Sequence, residues 1–299
     1  MKQALCTITS NVELLPGVYL MWVEAPDIAA TAQPGQFITV RCGDFTLRRP
    51  FSIHQSSPLT GEDSGEGEIA LLFKVAGKGT LWLSQRQTGD TIDILGPLGK
   101  GFSIPSVPSA GLRTGIERHP NRKRGNSPRQ SKNLLLVAGG IGIAPLIFLM
   151  QHASSQHQVT FIHGASTAAQ LYPFSSADKK RSKLPSLPNG VQFIPVTEDG
   201  SMGQKGMATD ILTDFLDRAD QVYACGPLEM YKALANMSLR AERSNFKLKK
   251  CQVSLEVRMG CGFGACYGCT INTKKGLKQL CRDGPVFELD DIIWQEVMI

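Results

Sequence analysis

Four cysteines in the 299-residue sequence have a spacing suited to an iron–sulfur cluster. Cys261, Cys266, Cys269 and Cys281 follow the pattern C-x4-C-x2-C with a distant fourth cysteine, which is typical of plant-type 2Fe-2S proteins. Glycines between them would let backbone amides approach the sulfurs. A structural zinc site also uses four cysteines, but usually as two C-x2-C pairs, and only Cys266 and Cys269 form such a pair. The spacing predicts a 2Fe-2S cluster, with zinc as the alternative.

Two glycine-containing turns could bind a dinucleotide. The segment "VAGGIGIAP" follows an apolar run and opens a predicted helix, so Gly139, Gly140 and Gly142 would let a pyrophosphate approach the helix N-terminus. Close packing of helix and strand is the alternative use of these glycines. The second turn, "YACGP", ends a later strand, and two such turns at one sheet edge define a crevice.

Two segments near the N-terminus could hold phosphate. The run "RRPFSI" offers an arginine, and "KVAGKGT" offers a glycine turn with backbone amides and a hydroxyl. An ordinary turn between strand and helix is the alternative interpretation of Gly77 and Gly79.

The elements that must position these motifs fall into four segments. Residues 1–103 contain six short alternating runs, which predict an antiparallel β-barrel. Residues 104–132 are rich in Pro, Ser, Arg and Gly and are interpreted as a basic, mobile insertion. Residues 133–247 alternate apolar strands with helices, including one through Met207–Ala219, which predicts a parallel α/β sheet. Residues 248–299 form a small module in which "CTINT" and "LKQLC" flank a turn.

Charge and hydropathy narrow the function classes. The net charge is +6, and residues 112–132 carry seven basic residues against one acidic residue, which equals the whole excess. The longest apolar run, Leu134–Met150, is too short to span a bilayer comfortably and contains three glycines and a proline. No signal peptide is recognised, so we expect a cytoplasmic protein. Because the apolar run is short and the excess charge is confined to one segment, we expect neither a membrane span nor bound nucleic acid. Eight cysteines then indicate metal or redox chemistry rather than disulfides, with Cys6, Cys42 and Cys251 as buried apolar residues.

These motifs, in this order, resemble a known family. The segments "RRPFS", "GKGT", "GPLGKGF", "LLLVAGGIGIAPL", "YACGP", "SLEVRMGCGFGACYGC" and "CRDGPVF" look like the electron-transfer subunit of dihydroorotate dehydrogenase B (NAD+), within the ferredoxin-NADP reductase superfamily. The resemblance covers nearly the whole chain except the basic insertion and the loop from Ala168 to Gly190.

The resemblance implies FAD in the barrel, NAD in the α/β domain and a cluster in the last module. It places FAD at Arg49, Pro50, Phe51, Ser52, Leu72, Phe73, Lys74, Gly79 and Thr80. Phe51 is bulkier than the aliphatic residue typical of the family. It places NAD at Gly139, Gly140, Gly142, Cys225, Gly226 and Pro227, with Glu198 and Asp199 nearby. It assigns Cys261, Cys266, Cys269 and Cys281 to the metal and no side chain to catalysis.

The function implied by the resemblance is electron transfer in pyrimidine biosynthesis. An FMN-containing catalytic subunit would oxidise dihydroorotate, and electrons would pass through the cluster and FAD to NAD+, in a heterotetramer. The three units occupy essentially all 299 residues, so we expect the dihydroorotate chemistry on another polypeptide. A related FAD and 2Fe-2S reductase subunit serving ferredoxin, hydrogenase or sulfide chemistry is one alternative. A zinc-containing nucleic-acid-binding protein is the other.

Overall fold

The computed structural model describes residues 1–57, 67–106, 131–174, 183–241 and 250–297. The predicted insertion at 104–132 falls largely outside these ranges, so its mobility remains a prediction. Strands and helices are numbered below in chain order.

The predicted antiparallel β-barrel is confirmed. Its strands are β1 (Lys2–Leu15), β2 (Val18–Glu24), β3 (Phe37–Arg41), β4 (Arg49–Ser57), β5 (Glu68–Lys74) and β6 (Thr91–Leu98), closed in the order β1-β2-β5-β4-β3-β6. Residues such as Ile38, Ile53 and Ile94 are fully buried, because alternate side chains of a strand face the barrel interior. The short helices α1 (Pro26–Ala29) and α2 (Lys78–Ser84) follow β2 and β5.

A seven-stranded sheet forms the second unit. Its strands are β7 (Asn133–Gly139), β8 (Gln158–Ala165), β9 (Val191–Thr197), β10 (Gln204–Lys205), β11 (Gln221–Cys225), β12 (Cys251–Ser254) and β15 (Val286–Glu288), in the order β10-β9-β8-β7-β11-β12-β15. All neighbours are parallel except β12 and β15. Leu134 to Ala138 of β7 are all buried, as is typical of the centre of a parallel sheet.

Three helices connect the sheet strands, and one of them is shorter than predicted. Helices α3 (Ile143–Ala153) and α5 (Leu228–Ala241) begin close to the predicted positions. The helix predicted through Met207–Ala219 is only one turn, α4 (Thr213–Leu216). Before it, the amide of Asp210 donates to the Met207 carbonyl at 3.0 Å and that of Leu212 to the Thr209 carbonyl at 3.4 Å, which are bonds between residues three apart as in turns.

The last module shares the sheet. Strands β13 (Thr270–Thr273) and β14 (Gly276–Gln279) form the expected hairpin, and the helical turn α6 (Leu280–Asp283) follows it. Cys281 therefore lies on α6 rather than on the hairpin strand. Strands β12 and β15 belong to the large sheet, so a boundary at residue 248 would separate β12 from its hydrogen-bonded partner β11. The division of the chain into domains remains a prediction.

Apolar contacts join the barrel to the sheet. Trp22 and Leu72 of the barrel share one hydrophobic cluster with Leu136 and Ile147. Phe148 of α3 is buried among barrel residues. A shared apolar core thus joins the two units. Within the described residues, no helix is both long and apolar enough to cross a membrane.

Candidate redox centre

A cavity of about 730 Å³ adjoins the barrel where FAD is predicted. Seven of the nine predicted FAD residues line it, namely Arg49, Pro50, Phe51, Ser52, Leu72, Phe73 and Lys74. Apolar and aromatic walls with four cationic side chains suit a flavin ring and its phosphates. The ring of Phe51 packs against Phe73 with centroids 5.6 Å apart, so the large side chain is accommodated within the barrel wall.

The other two predicted FAD residues do not line this cavity. Gly79 and Thr80 lie in the first turn of α2, where a Cβ on Gly79 would come within 3.0 Å of Arg49 Nε. The Thr80 hydroxyl accepts hydrogen bonds from the amides of Ala76 at 2.9 Å and Gly77 at 3.1 Å. Glycine thus leaves room for the arginine, and Thr80 caps its helix. Their contact with pyrophosphate remains a prediction.

A second cavity, of about 680 Å³, lies at the carboxyl ends of the parallel strands. All six predicted NAD residues line it, namely Gly139, Gly140, Gly142, Cys225, Gly226 and Pro227. Glu198 lines it too, whereas Asp199 does not. The carboxyl edge of a parallel sheet is where α/β folds bind nucleotides.

The two glycine turns of this cavity are in backbone contact. A Cβ on Gly142 would lie 2.5 Å from the carbonyl carbon of Cys225 and 2.7 Å from the amide of Gly226. A Cβ on Gly139 would lie 2.6 Å from Pro227 Cδ. Helix α3 begins at Ile143, directly after this turn, so its N-terminus adjoins the cavity. Only glycine at these positions lets the two turns approach each other this closely.

Two residues that sequence reasoning missed lie where the cavities meet. Ile141 and Glu256 line both. Ile141 was contained in the predicted glycine turn and Glu256 in the segment "SLEVRMGCGFGACYGC", but neither was assigned to a cofactor. Arg258 and Met259 of the flavin cavity were also missed, although they directly precede the cysteine loop.

The four predicted ligand cysteines come together as two pairs. Cys269 Sγ and Cys281 Sγ are 3.2 Å apart. The amide of Cys261 donates to Cys266 Sγ and the amide of Cys266 donates to Cys261 Sγ, both at 3.4 Å. Two thiolates for each iron is the arrangement of a 2Fe-2S cluster. The paired sulfurs therefore fit a two-iron cluster better than zinc.

Backbone amides surround these sulfurs. The amide of Ala265 donates to Cys261 Sγ at 3.2 Å, and the amide of Gly268 donates to Cys266 Sγ at 3.5 Å. Burial raises the pKa of the Cys261 thiol, but the surrounding amides outweigh it and lower the pKa to about 6. For Cys281, burial and the Cys269 thiol raise the pKa to about 12. A bound cluster would hold all four as thiolates, because coordination deprotonates a thiol outright.

The cysteine loop lies against the flavin cavity. Met259 lines that cavity, and a Cβ on the next residue, Gly260, would lie 3.0 Å from Cys266 Sγ. A Cβ on Gly262 would lie 2.8 Å from Thr39 Cγ2 on barrel strand β3. The loop is therefore seated on the barrel beside the flavin cavity.

Comparison with known proteins agrees with this geometry. The family model "Iron-sulfur cluster binding domain of dihydroorotate dehydrogenase B" matches residues 256–293, and "Oxidoreductase NAD-binding domain" matches residues 136–236. The chain is 37% identical over 292 residues to the dihydroorotate dehydrogenase B (NAD(+)) electron transfer subunit of Desulforamulus reducens, with 94% of each chain covered. The subunit of that name from Listeria monocytogenes serotype 4a is 33% identical over 299 residues, 98% of this chain and 99% of that one. The chain belongs to this family of electron transfer subunits.

Solved structures show the same architecture. An NADH-dependent reduced ferredoxin-NADP oxidoreductase, studied for flavin-based electron bifurcation, aligns with a TM-score of 0.72 and 27% identity over 98% of this chain and 91% of that chain. A ferredoxin NADP+ reductase from Neisseria gonorrhoeae has the same fold, with a TM-score of 0.56 and 18% identity over 80% of this chain and 92% of that chain. The predicted fold class and the set of FAD, a 2Fe-2S cluster and NAD are confirmed.

A buried histidine network ties the barrel of this electron transfer subunit to the NAD turn. His54 of β4 donates through Nδ1 to the Ala144 carbonyl and accepts at Nε2 from the Tyr172 hydroxyl, both at 2.9 Å. His163 donates through Nε2 to the Gly140 carbonyl at 3.1 Å and accepts at Nδ1 from the amide of Tyr172. The Tyr172 amide can only donate, so His163 is neutral with its proton on Nε2. Burial favours the neutral form of His54 as well. Burial lowers the pKa of each histidine to about 4.

This network predicts loss of stability in mild acid. Below pH 6.5 both histidines become protonated in the unfolded chain but stay neutral in the folded one. The free energy of unfolding is therefore at its full value above pH 6.5 and falls as the pH drops toward 4. At pH 4 each histidine should have lowered the free energy of unfolding by about 3 kcal/mol. Denaturant unfolding from pH 8 to 4 would measure it, and His163→Gln should flatten the curve. An identical pH dependence in both proteins would contradict the role assigned to His163.

The position of Glu198 predicts that the NAD cavity discriminates against nucleotides that carry a 2′-phosphate. Its carboxylate lines the NAD cavity and accepts a hydrogen bond from the Ser166 hydroxyl at 3.0 Å. A phosphate near this carboxylate would be repelled. Glu198→Gln should therefore improve NADPH binding relative to NADH by about tenfold, equivalent to about 1.4 kcal/mol. Asp199→Asn is the matched control, because its carboxylate is engaged by Ser201 and does not line the cavity. Equal nucleotide preference in all three proteins would exclude this role.

Proposed function

We propose that this chain is the electron-transfer subunit of a dihydroorotate dehydrogenase complex. It takes electrons from an FMN-containing catalytic subunit and delivers them to NAD+ for pyrimidine biosynthesis. The names of the relatives indicate the reaction of the complex. The arrangement of sites within this chain supports its role in electron transfer, with dihydroorotate oxidation on the catalytic subunit.

One observation carries the proposal: the NAD cavity adjoins the flavin cavity, and the flavin cavity adjoins the cysteine loop. The NAD cavity shares Ile141 and Glu256 with the flavin cavity, and the flavin cavity shares Met259 with the segment that enters the cysteine loop. A flavin handles both hydride and single electrons while an iron–sulfur cluster carries one electron, so together they connect hydride chemistry to a one-electron partner. The residues of this chain hold these groups in that sequence.

The surface around the cysteine loop is the proposed docking site for the catalytic subunit. Phe263 and Tyr267 are 48% and 67% exposed there, and Cys266 is also exposed. Exposed aromatic side chains are characteristic anchors of protein interfaces. Docking here would bring the partner next to the cluster, and the family resemblance favours a heterotetramer. A cysteine-ligated cluster is compatible with a reducing compartment, so a cytoplasmic location is proposed.

The test separates the two half-reactions. The purified chain, loaded with its cofactors, should oxidise NADH with ferricyanide as acceptor, yet neither consume dihydroorotate nor reduce orotate. Adding the catalytic subunit should couple dihydroorotate oxidation to NAD+ reduction. Conversion of dihydroorotate by the single chain with NAD+ as the only acceptor would overturn the proposal.

A substitution at Tyr267 tests the proposed docking site. Tyr267→Lys should abolish coupling to the catalytic subunit while NADH oxidation by ferricyanide continues, because the side chain is exposed and lines neither cavity. Leu5→Lys is the control, since Leu5 is 76% exposed on barrel strand β1. Loss of coupling in both variants, or in neither, would place the interface elsewhere.

A further inference from the structure

His163 lies directly behind the first glycine turn of the NAD cavity. Its side chain is only 1% exposed on β8 and lines neither cavity, whereas the next two residues, Gly164 and Ala165, line the NAD cavity. The Nε2 atom of His163 is 3.1 Å from the carbonyl oxygen of Gly140, which is part of the cavity wall. His163 therefore contacts this wall from the protein interior and leaves the cavity itself to the nucleotide.

A third residue fixes the proton that this hydrogen bond needs. The amide of Tyr172 donates to Nδ1 of His163 at 3.5 Å, so the proton of the neutral ring is on Nε2, facing the Gly140 carbonyl. Tyr172 is itself buried, and its hydroxyl donates to Nε2 of His54 at 2.9 Å. His163 is thus a donor whose orientation is set before any nucleotide binds.

Packing alone does not hold the backbone at Gly140. This residue has φ +53°, and no atom lies within 4 Å of the position that a Cβ would take. By contrast, a Cβ on Gly142 would lie 2.7 Å from the amide of Gly226. A glycine without close neighbours can rotate its peptide unit easily. The orientation of the Gly140 carbonyl therefore depends on its two donors, the His163 ring and the amide of Ile143.

The direction of this carbonyl decides what the turn offers to a nucleotide. In a planar trans peptide the C=O and N–H groups of one unit point in opposite directions. Because the Gly140 carbonyl points to His163 behind the wall, the Ile141 amide points toward the cavity that Ile141 lines. We propose that His163 is a positioning residue for NAD+, which holds this peptide so that the Ile141 amide donates to an oxygen atom of the nucleotide. This inference rests on the proposed binding of NAD+ in this cavity.

Without the His163 hydrogen bond, the peptide could turn its carbonyl oxygen toward the nucleotide. An acceptor would then replace a donor, and two oxygen atoms would face each other. The contact is the same before and during hydride transfer, so its loss should weaken nucleotide binding and leave the chemical step unchanged. We therefore expect a change in KM for NADH and little change in kcat.

The test compares His163→Asn with His163→Gln in the FAD- and cluster-loaded protein. Asparagine keeps an acceptor near the position of Nδ1 for the Tyr172 amide, but it is too short to reach Gly140. Glutamine is one carbon longer and carries its amide N–H to the position of Nε2. His163→Asn should bind NAD+ about tenfold more weakly, as expected for one hydrogen bond, and His163→Gln should stay within about threefold of the wild type.

Equilibrium titration with NAD+ would measure the dissociation constants. With ferricyanide as acceptor, KM for NADH should rise about tenfold in His163→Asn, and kcat should stay within about twofold of the wild type. Wild-type affinity in His163→Asn would overturn the assignment. Equally weak binding in the two variants would also overturn it, because the ring rather than the hydrogen bond would then matter.

His157→Asn is the matched control. His157 is also buried and has the same pattern of contacts, with the Lys132 amide 3.2 Å from Nδ1 and the Pro105 carbonyl 3.0 Å from Nε2. It lines neither cavity, so His157→Asn should keep the NAD+ affinity of the wild type. A loss equal to that in His163→Asn would mean that weaker binding reports reduced stability and would overturn the assignment.

A measurement on the wild type does not depend on the folding of any variant. In protein labelled with 15N-histidine, the His163 signals, identified by their absence from His163→Gln, should show a proton on Nε2 and none on Nδ1. A proton on Nδ1 would overturn the assignment, because Nε2 could not then donate. A wild-type protein that meets these expectations but fails to couple to the catalytic subunit would instead overturn the proposed function.

Discussion

Cys266→Ser should lose the cluster and all electron transfer to the catalytic subunit, yet retain FAD and NADH oxidation by ferricyanide. Cys266 Sγ accepts amide hydrogen bonds from Cys261 at 3.4 Å and from Gly268 at 3.5 Å, in a loop arranged around a thiolate. Serine offers a harder, more basic oxygen that iron–sulfur clusters bind poorly. The flavin and NAD cavities contain none of the four ligand cysteines, so their ligands should stay bound.

Iron and acid-labile sulfide content, with the visible spectrum, would measure this loss. Cys6→Ser is the matched control, because Cys6 is a buried thiol on β1 far from the loop in sequence. It should cost about 1–3 kcal/mol of stability through the buried hydroxyl and leave the iron content unchanged. Normal iron and normal coupling in Cys266→Ser would show that this cysteine is not a ligand.

Gly142→Ala should lose most NAD binding while keeping FAD and the cluster. The new methyl group would sit 2.5 Å from the carbonyl carbon of Cys225 and 2.7 Å from the amide of Gly226. Both are backbone atoms that cannot rotate away, so the two turns must separate. Overpacking of this kind costs up to about 3 kcal/mol, which would weaken NAD binding by about 10²-fold.

Titration of the loaded protein with NAD+ would measure the dissociation constant directly. Gly190→Ala serves as the comparison, because Gly190 has φ +84° and no atom within 4 Å of the added Cβ. Its left-handed backbone should cost about 1–2 kcal/mol of stability without changing NAD affinity. Wild-type affinity in Gly142→Ala would mean that the turns tolerate separation and that their contact does not form the site.

Much of this protein could be predicted from short-range patterns. The ligand cysteines lie within 21 residues, and three of them share one loop, so their spacing nearly specifies the site. Alternation of apolar residues with period two was enough to predict the barrel, and buried runs followed by glycine turns were enough to predict the nucleotide edge. Each of these signals comes from neighbouring residues, whose geometry the covalent chain restricts directly.

Only the tertiary structure determines the features that depend on contacts between distant parts of the chain. Strand β12 joins the large sheet because it pairs with β11 and β15, which no local pattern shows. Thr80 caps α2 instead of lining the flavin cavity, because nearby amides compete for its hydroxyl. Ile141 and Glu256 meet between the two cavities although 115 positions separate them. Residue types and spacing determined which groups this protein can bind, whereas long-range packing decided which side chains face those groups, because only the folded chain brings distant segments into contact.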